Sequence, residues 1–139
     1  MTLLNEVDSY DTRLNEKAVG VQVREYLVKM QNLFSRINEI HDQSLRDYES
    51  LKLILEETEE VVDETLIKAY PISRGRKKYK LNVKVKVEDK EVTLLDIKKE
   101  LIISEFLLLR AKSKLNEIKS AISTARSVLA WDRHEYSET

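Results

Sequence analysis

Residues 79–97 read Tyr79-Lys80-Leu81-Asn82-Val83-Lys84-Val85-Lys86-Val87-Glu88-Asp89-Lys90-Glu91-Val92-Thr93-Leu94-Leu95-Asp96-Ile97, and the apolar period changes within them. Tyr79, Leu81, Val83, Val85 and Val87 alternate with Lys80, Asn82, Lys84 and Lys86, which predicts a half-buried strand with one apolar and one cationic face. Glu88-Asp89-Lys90 reads as a turn and Glu91-Val92 as a short partner strand. A small β-hairpin is therefore expected, although no Asn-Gly pair marks its tip. Thr93 stands three residues before Asp96, the spacing of a capping box at a helix start.

Downstream, Leu94, Ile97, Leu101, Ser104, Leu108, Ala111, Leu115, Ile118, Ile122, Ala125 and Leu129 alternate steps of three and four. They predict a long helix over 94–131, followed by a polar tail at 132–139. A second apolar stripe, Leu95, Ile102, Phe106 and Leu109, lies beside the first and adds more apolar surface than one antiparallel helix covers. Upstream, Val23, Leu27, Met30, Phe34, Ile37, His41, Leu45, Tyr48, Leu51 or Lys52, Leu55, Val62 and Ala69 predict another long, coiled-coil-like helix over 21–70. Tyr70-Pro71 closes it, because the residue before proline is pushed out of helical geometry. Leu3, Leu4, Val7, Tyr10, Leu14 and Ala18 predict a short helix over 1–19, with Gly20 as hinge or C-terminal cap.

The expected fold is mainly α, a single helical domain over 1–139. Two long coiled-coil-like helices are joined by a basic loop and small β-hairpin at 71–93, behind a short N-terminal helix. Spare apolar stripes are buried best by self-association, so a homo-oligomer is expected; the alternative is a monomeric bundle closed by the N-terminal helix.

Composition agrees with this reading. Of 139 residues, 35% are charged, and there are 2 glycines and 1 proline, so few residues break helices. The absence of cysteine excludes disulfides, thiolate zinc sites and cysteine nucleophiles, and it agrees with a reducing compartment. Met1-Thr2-Leu3-Leu4-Asn5-Glu6 does not open like a secretory signal. The most apolar window, Leu101 to Leu109, contains Ser104 and Glu105 and falls short of the roughly 20 residues a membrane helix needs. A soluble cytoplasmic protein with no membrane association is expected.

Catalytic patterns are missing. His41 and His134 are far apart in sequence, and neither has a metal or catalytic spacing. Gly75, in Ser73-Arg74-Gly75-Arg76, lacks the spacing and the Lys-Ser/Thr of a phosphate loop. Glu56 and Glu60 share a helix face, but no apolar pocket is evident to tune them. No catalytic residue, metal ligand or cofactor is assigned, and the chain is expected not to be an enzyme.

Charge is the informative feature. The 24 basic and 25 acidic residues give a net charge of -1, yet they are segregated. Glu56, Glu57, Glu59, Glu60, Asp63 and Glu64 form a run without a base, whereas Arg74, Arg76, Lys77, Lys78, Lys80, Lys84 and Lys86 form a run without an acid. Lysines on an edge strand guard against aggregation. Alternatively, Lys78, Lys80, Lys84 and Lys86 would form a row at intervals of about 6.6 Å, following a phosphate backbone without reading bases. Tyr70 and Tyr79 flank the loop and could stack on unpaired bases or anchor the hairpin to a helix. The acidic run could also pair with the basic run of another protomer. Arg126 and Trp131, near the end of the last helix, suit protein docking.

The closing piece, Thr124-Ala125-Arg126-Ser127-Val128-Leu129-Ala130-Trp131-Asp132-Arg133, resembles the ending of the UvsY family of recombination mediators of T-even-like bacteriophages. Arg126, Leu129, Trp131 and Arg133 occupy comparable places, and the preceding helix from about Asp89 is similar in length and rhythm. The resemblance covers the last third of the chain and its overall size. It implies a ring-like homo-oligomer in the host cytoplasm that binds single-stranded DNA, loosens its coat of single-strand-binding protein and helps a RecA-like recombinase assemble. Leu95, Ile102, Phe106, Leu109, Arg126 and Trp131 are the expected oligomer and partner contacts. The competing readings are a prefoldin-like chaperone and a structural coiled-coil adaptor or inhibitor acting by contact.

Overall fold

The computed structural model describes residues 2–15, 17–70, 76, 77 and 79–138, with backbone alone for 132–138. The chain is mainly helical. The described elements are α1 (Leu3–Ser9), α2 (Gly20–Ala69), β1 (Val85–Val87), β2 (Lys90–Val92) and α3 (Leu94–Glu138). Two long helices joined by a two-stranded antiparallel hairpin match the expected architecture.

The N-terminal region departs from expectation. Instead of a helix over 1–19, α1 spans seven residues, capped by the Thr2 hydroxyl, which accepts from the Asn5 N–H at 3.2 Å. Local side chains claim the backbone that follows. Asp11 accepts from the N–H of Arg13 at 2.9 Å, and Asn15 accepts from that of Lys17 at 3.0 Å. Such two-residue turns compete directly with helical hydrogen bonding. The Arg13 guanidinium also bonds Asp11 and holds its carboxyl down at about 2. Gly20 does not cap α1; it opens α2, where Gln22 accepts from the Val19 N–H at 3.1 Å.

Along α2 the predicted stripe holds from Val23 to Ile37 and at Val62, whereas Ala69 is exposed and Ile40 and Leu66, outside the stripe, are buried. Val23, Met30, Ile37, Val62 and Leu66 are buried, but Ser44 is buried where the pattern favoured Leu45. Buried positions 23, 30, 37 and 44 repeat every seven residues, with Ile40 buried between the last two, so the seam takes a small polar residue rather than drift off its heptad. Thr58, also buried, donates to the Ile54 carbonyl at 2.6 Å and satisfies its hydroxyl within its own turn. α2 ends at Ala69, with the Tyr70 N–H bonded to the Leu66 carbonyl at 2.7 Å.

Every position of the first α3 stripe is buried or half-buried. Thr93 caps the helix as expected, its hydroxyl accepting from the Asp96 N–H at 3.2 Å. The far end was expected near Trp131, but the helix runs to Glu138. Polar composition alone does not end a helix, and 132–138 contains no glycine or proline.

The chain forms two compact units: residues 1–43 with 107–139, and residues 44–106. Each builds its core on a different third element. In the first, Val7 of α1 joins Met30, Ile37, Ile40, Ala111, Leu115 and Ile118. In the second, Val85 and Val87 of the hairpin join Val62, Leu66 and Leu94.

A polar strap accompanies the first core. Thr12 donates to Glu117, Tyr26 donates to the Thr12 carbonyl, and Lys114 donates to the Tyr10 carbonyl at 2.9 Å. Burial pushes the Tyr26 hydroxyl pKa up, while the Thr12 hydrogen bond, and then Lys114, hold the Glu117 carboxyl low against its own partial burial.

Candidate nucleic-acid interface

The hairpin positions the basic segment. Its register pairs Val85 with Val92, Lys86 with Glu91 and Val87 with Lys90. Val85 and Val87 are buried, so Lys86 points outward with its cross-strand neighbour Glu91. The tip is Glu88-Asp89, with φ of 52° and 64°; both lie in the left-handed region that a two-residue hairpin turn requires. Asp tolerates that region better than Glu.

The expected strand over 79–87 is confined to 85–87. β2 supplies three residues before Thr93 caps α3, so the residues preceding Val85 have no ladder partner. The N–H groups of Asn82 and Val83 both reach the Tyr79 carbonyl at 3.1 Å instead, and the Leu81 carbonyl accepts from the Leu95 N–H at 3.2 Å. Lys80, Lys84 and Lys86 of the expected row therefore do not stand together at strand spacing. Lys84 and Lys86 are exposed at and just before β1, Lys80 lies in the turn, and Arg76 and Lys77 lie in a helical turn earlier. Arg74 and Lys78 fall outside the described residues.

α2 meets this segment with its acidic run. Lys80 Nζ lies 3.5 Å from Asp63 Oδ1 of the same chain. Asp63, Leu66, Ile67, Arg76, Lys77 and Lys80 line a surface cavity of about 280 Å³. Among the described residues Lys84 and Lys86 form no salt bridge, so the segment retains exposed positive charge. Asp63 is the residue missing from the sequence-based site. The abutting acidic and basic runs were its visible signal.

Tyr70 and Tyr79 stack on each other, with ring centroids 5.1 Å apart and planes 21° from parallel. Each thus commits one face to tying the end of α2 to the connector, the anchoring alternative; both rings remain 40% exposed.

The expected contact residues at the other positions are distributed as follows. Leu95 is half-buried, whereas Ile102, Phe106 and Leu109 are 66%, 51% and 58% exposed on α3. Arg126 lines a groove of about 520 Å³ with Phe34, Lys119, Ile122, Ser123 and Ser127, and Trp131 is exposed. Lys119 Nζ stands 5.8 Å from the Phe34 ring centre, within cation–π range.

Among the described residues no three His, Asp or Glu side chains are placed to hold a metal ion, and no helix is long and apolar enough to cross a membrane. Compared with known proteins, the chain matches no protein family, no curated protein and no solved structure.

Proposed function

We propose that the protein is a non-catalytic binder of single-stranded DNA that acts as a recombination mediator, helping a RecA-like recombinase load onto strands coated by single-strand-binding protein. The observation that carries the DNA-binding part is the connector: Arg76, Lys77, Lys80, Lys84 and Lys86 lie on one segment without an intervening acid, and Lys84 and Lys86 stand exposed. Cations so arranged bind phosphates without reading bases, with affinity that falls steeply with salt. The mediator role follows from the resemblance to the UvsY family, and homo-oligomerisation follows from the exposed Ile102, Phe106 and Leu109.

Fluorescence anisotropy with a labelled single strand at two salt concentrations tests this reading. Lys84→Glu with Lys86→Glu lowers affinity by about tenfold and flattens the salt dependence by about 0.7 for each phosphate no longer neutralised. Wild-type protein that does not bind at low salt removes the proposal. The helix–hairpin–helix order also favours a prefoldin-like chaperone, which would instead suppress aggregation of an unfolded client without binding the strand.

A further inference from the structure

We propose that Arg76, Lys77 and Lys80 form a seat for one backbone phosphate, and that the Asp63 carboxylate at its wall, paired with Lys80, competes with that phosphate in the unliganded chain; the inference rests on the DNA-binding reading and names its internal competitor. Three cations and one acid surround the cavity, whose remaining wall is Leu66 and Ile67. Its volume of about 280 Å³ equals that of about nine waters at about 30 Å³ each, so a phosphate can enter.

Asp63 holds the seat loosely. Its contact with Lys80 is 3.5 Å, beyond good hydrogen-bond length, and both side chains are substantially exposed. A phosphodiester carries the same single negative charge as the carboxylate, but its two free oxygens can engage the planar guanidinium fork of Arg76 while the lysines act as point charges. Exchange of carboxylate for phosphate is therefore charge-neutral at the seat and gains geometry. Asp63 belongs to an acidic run on α2, so the helix that lines the seat also repels any strand approaching it. The connector becomes fully positive toward solvent when that carboxylate swings away.

The test uses full-length protein and a labelled oligothymidylate, with anisotropy read at two salt concentrations. Asp63→Asn binds about fivefold tighter than wild type, the effect of deleting one charge at about 4 Å in water. Its salt dependence steepens by about 0.7, the increment for one more neutralised phosphate. Glu56→Gln, which makes the same charge change on α2 away from the cavity, gains less than twofold. Lys80→Gln breaks the same ion pair but removes a cation, and it binds more weakly. If wild type binds and Asp63→Asn binds no tighter, or if Glu56→Gln or Lys80→Gln gains as much as Asp63→Asn, the seat is overturned while the DNA-binding reading stands. Failure of wild type to bind at low salt overturns the two together.

Discussion

The two compact units draw on the same pair of long helices but dispose of charge in opposite ways. In the unit of residues 1–43 and 107–139, ionic groups meet partners brought from distant sequence. Arg36 bonds Glu6 at 3.0 Å, Arg110 bonds Asp8 at 2.7 Å, and Lys114 reaches the Tyr10 carbonyl at 2.9 Å. In residues 44–106 the connector cations meet Asp63 through Lys80 alone among the salt bridges of the described residues, and Lys84 and Lys86 face water. Exposed ion pairs contribute only about 0–1 kcal/mol each, so the first network acts less as a source of stability than as a guide that places α1 over its core. The hairpin unit lets three valine side chains and α2 do that work, and its positive charge stays available to a ligand.

The contrast can be broken most forcefully at the first core. Ile118 is completely buried, and Ile118→Ala is expected to lower unfolding free energy by about 3 kcal/mol in chemical denaturation. A loss below about 1 kcal/mol would mean that α1 and its neighbours do not close on this cluster.

The strap is the next test. Thr12→Val removes the donor to Glu117 at nearly constant shape and is expected to cost about 1 kcal/mol at neutral pH. Because the folded pKa of Glu117 lies below its ordinary value of 4.5, its contribution is present above that value and fades as pH falls through the lowered one. The difference between wild type and Thr12→Val therefore narrows in acid. A gap that stays constant down to low pH would show that the strap holds without the carboxylate.

The smallest effect belongs to the hairpin. Glu88→Asn combined with Asp89→Gly places the preferred residues at the two left-handed positions and is expected to stabilise the hairpin unit by about 0.5–1 kcal/mol. Amide exchange at Val87 and Lys90 reports it, and faster exchange in the double variant would contradict the turn geometry.

Helical rhythm was the most legible property of the chain. All eleven positions of the α3 stripe, from Leu94 to Leu129, avoid full exposure, because a helix that buries one side must repeat that way. Alternation over 79–87 was equally clear as a pattern, but a strand needs a partner of matching length, and that length is set by where Thr93 starts α3. The 10–19 segment misled for another reason: apolar spacing suggested a helix, whereas Asp11 and Asn15 bind the backbone two residues on. At the candidate site the cations were readable singly. Their apposition to Asp63, and the mutual stacking of Tyr70 and Tyr79, depend on the end of α2 meeting the connector, which no local pattern encodes.

Continuity of sequence also separates the units. The hairpin unit is one unbroken stretch, 44–106, whereas its companion joins both flanks of the chain, with Thr12 bonded to Glu117 across 105 residues. On a ribosome the hairpin unit can assemble as soon as α3 begins to emerge, but α1 must wait for residues 107–118 to complete its groove. Until then Val7, Met30 and Ile37 remain solvent-facing on the nascent chain, and the final interactions to form are those with the largest loop to close.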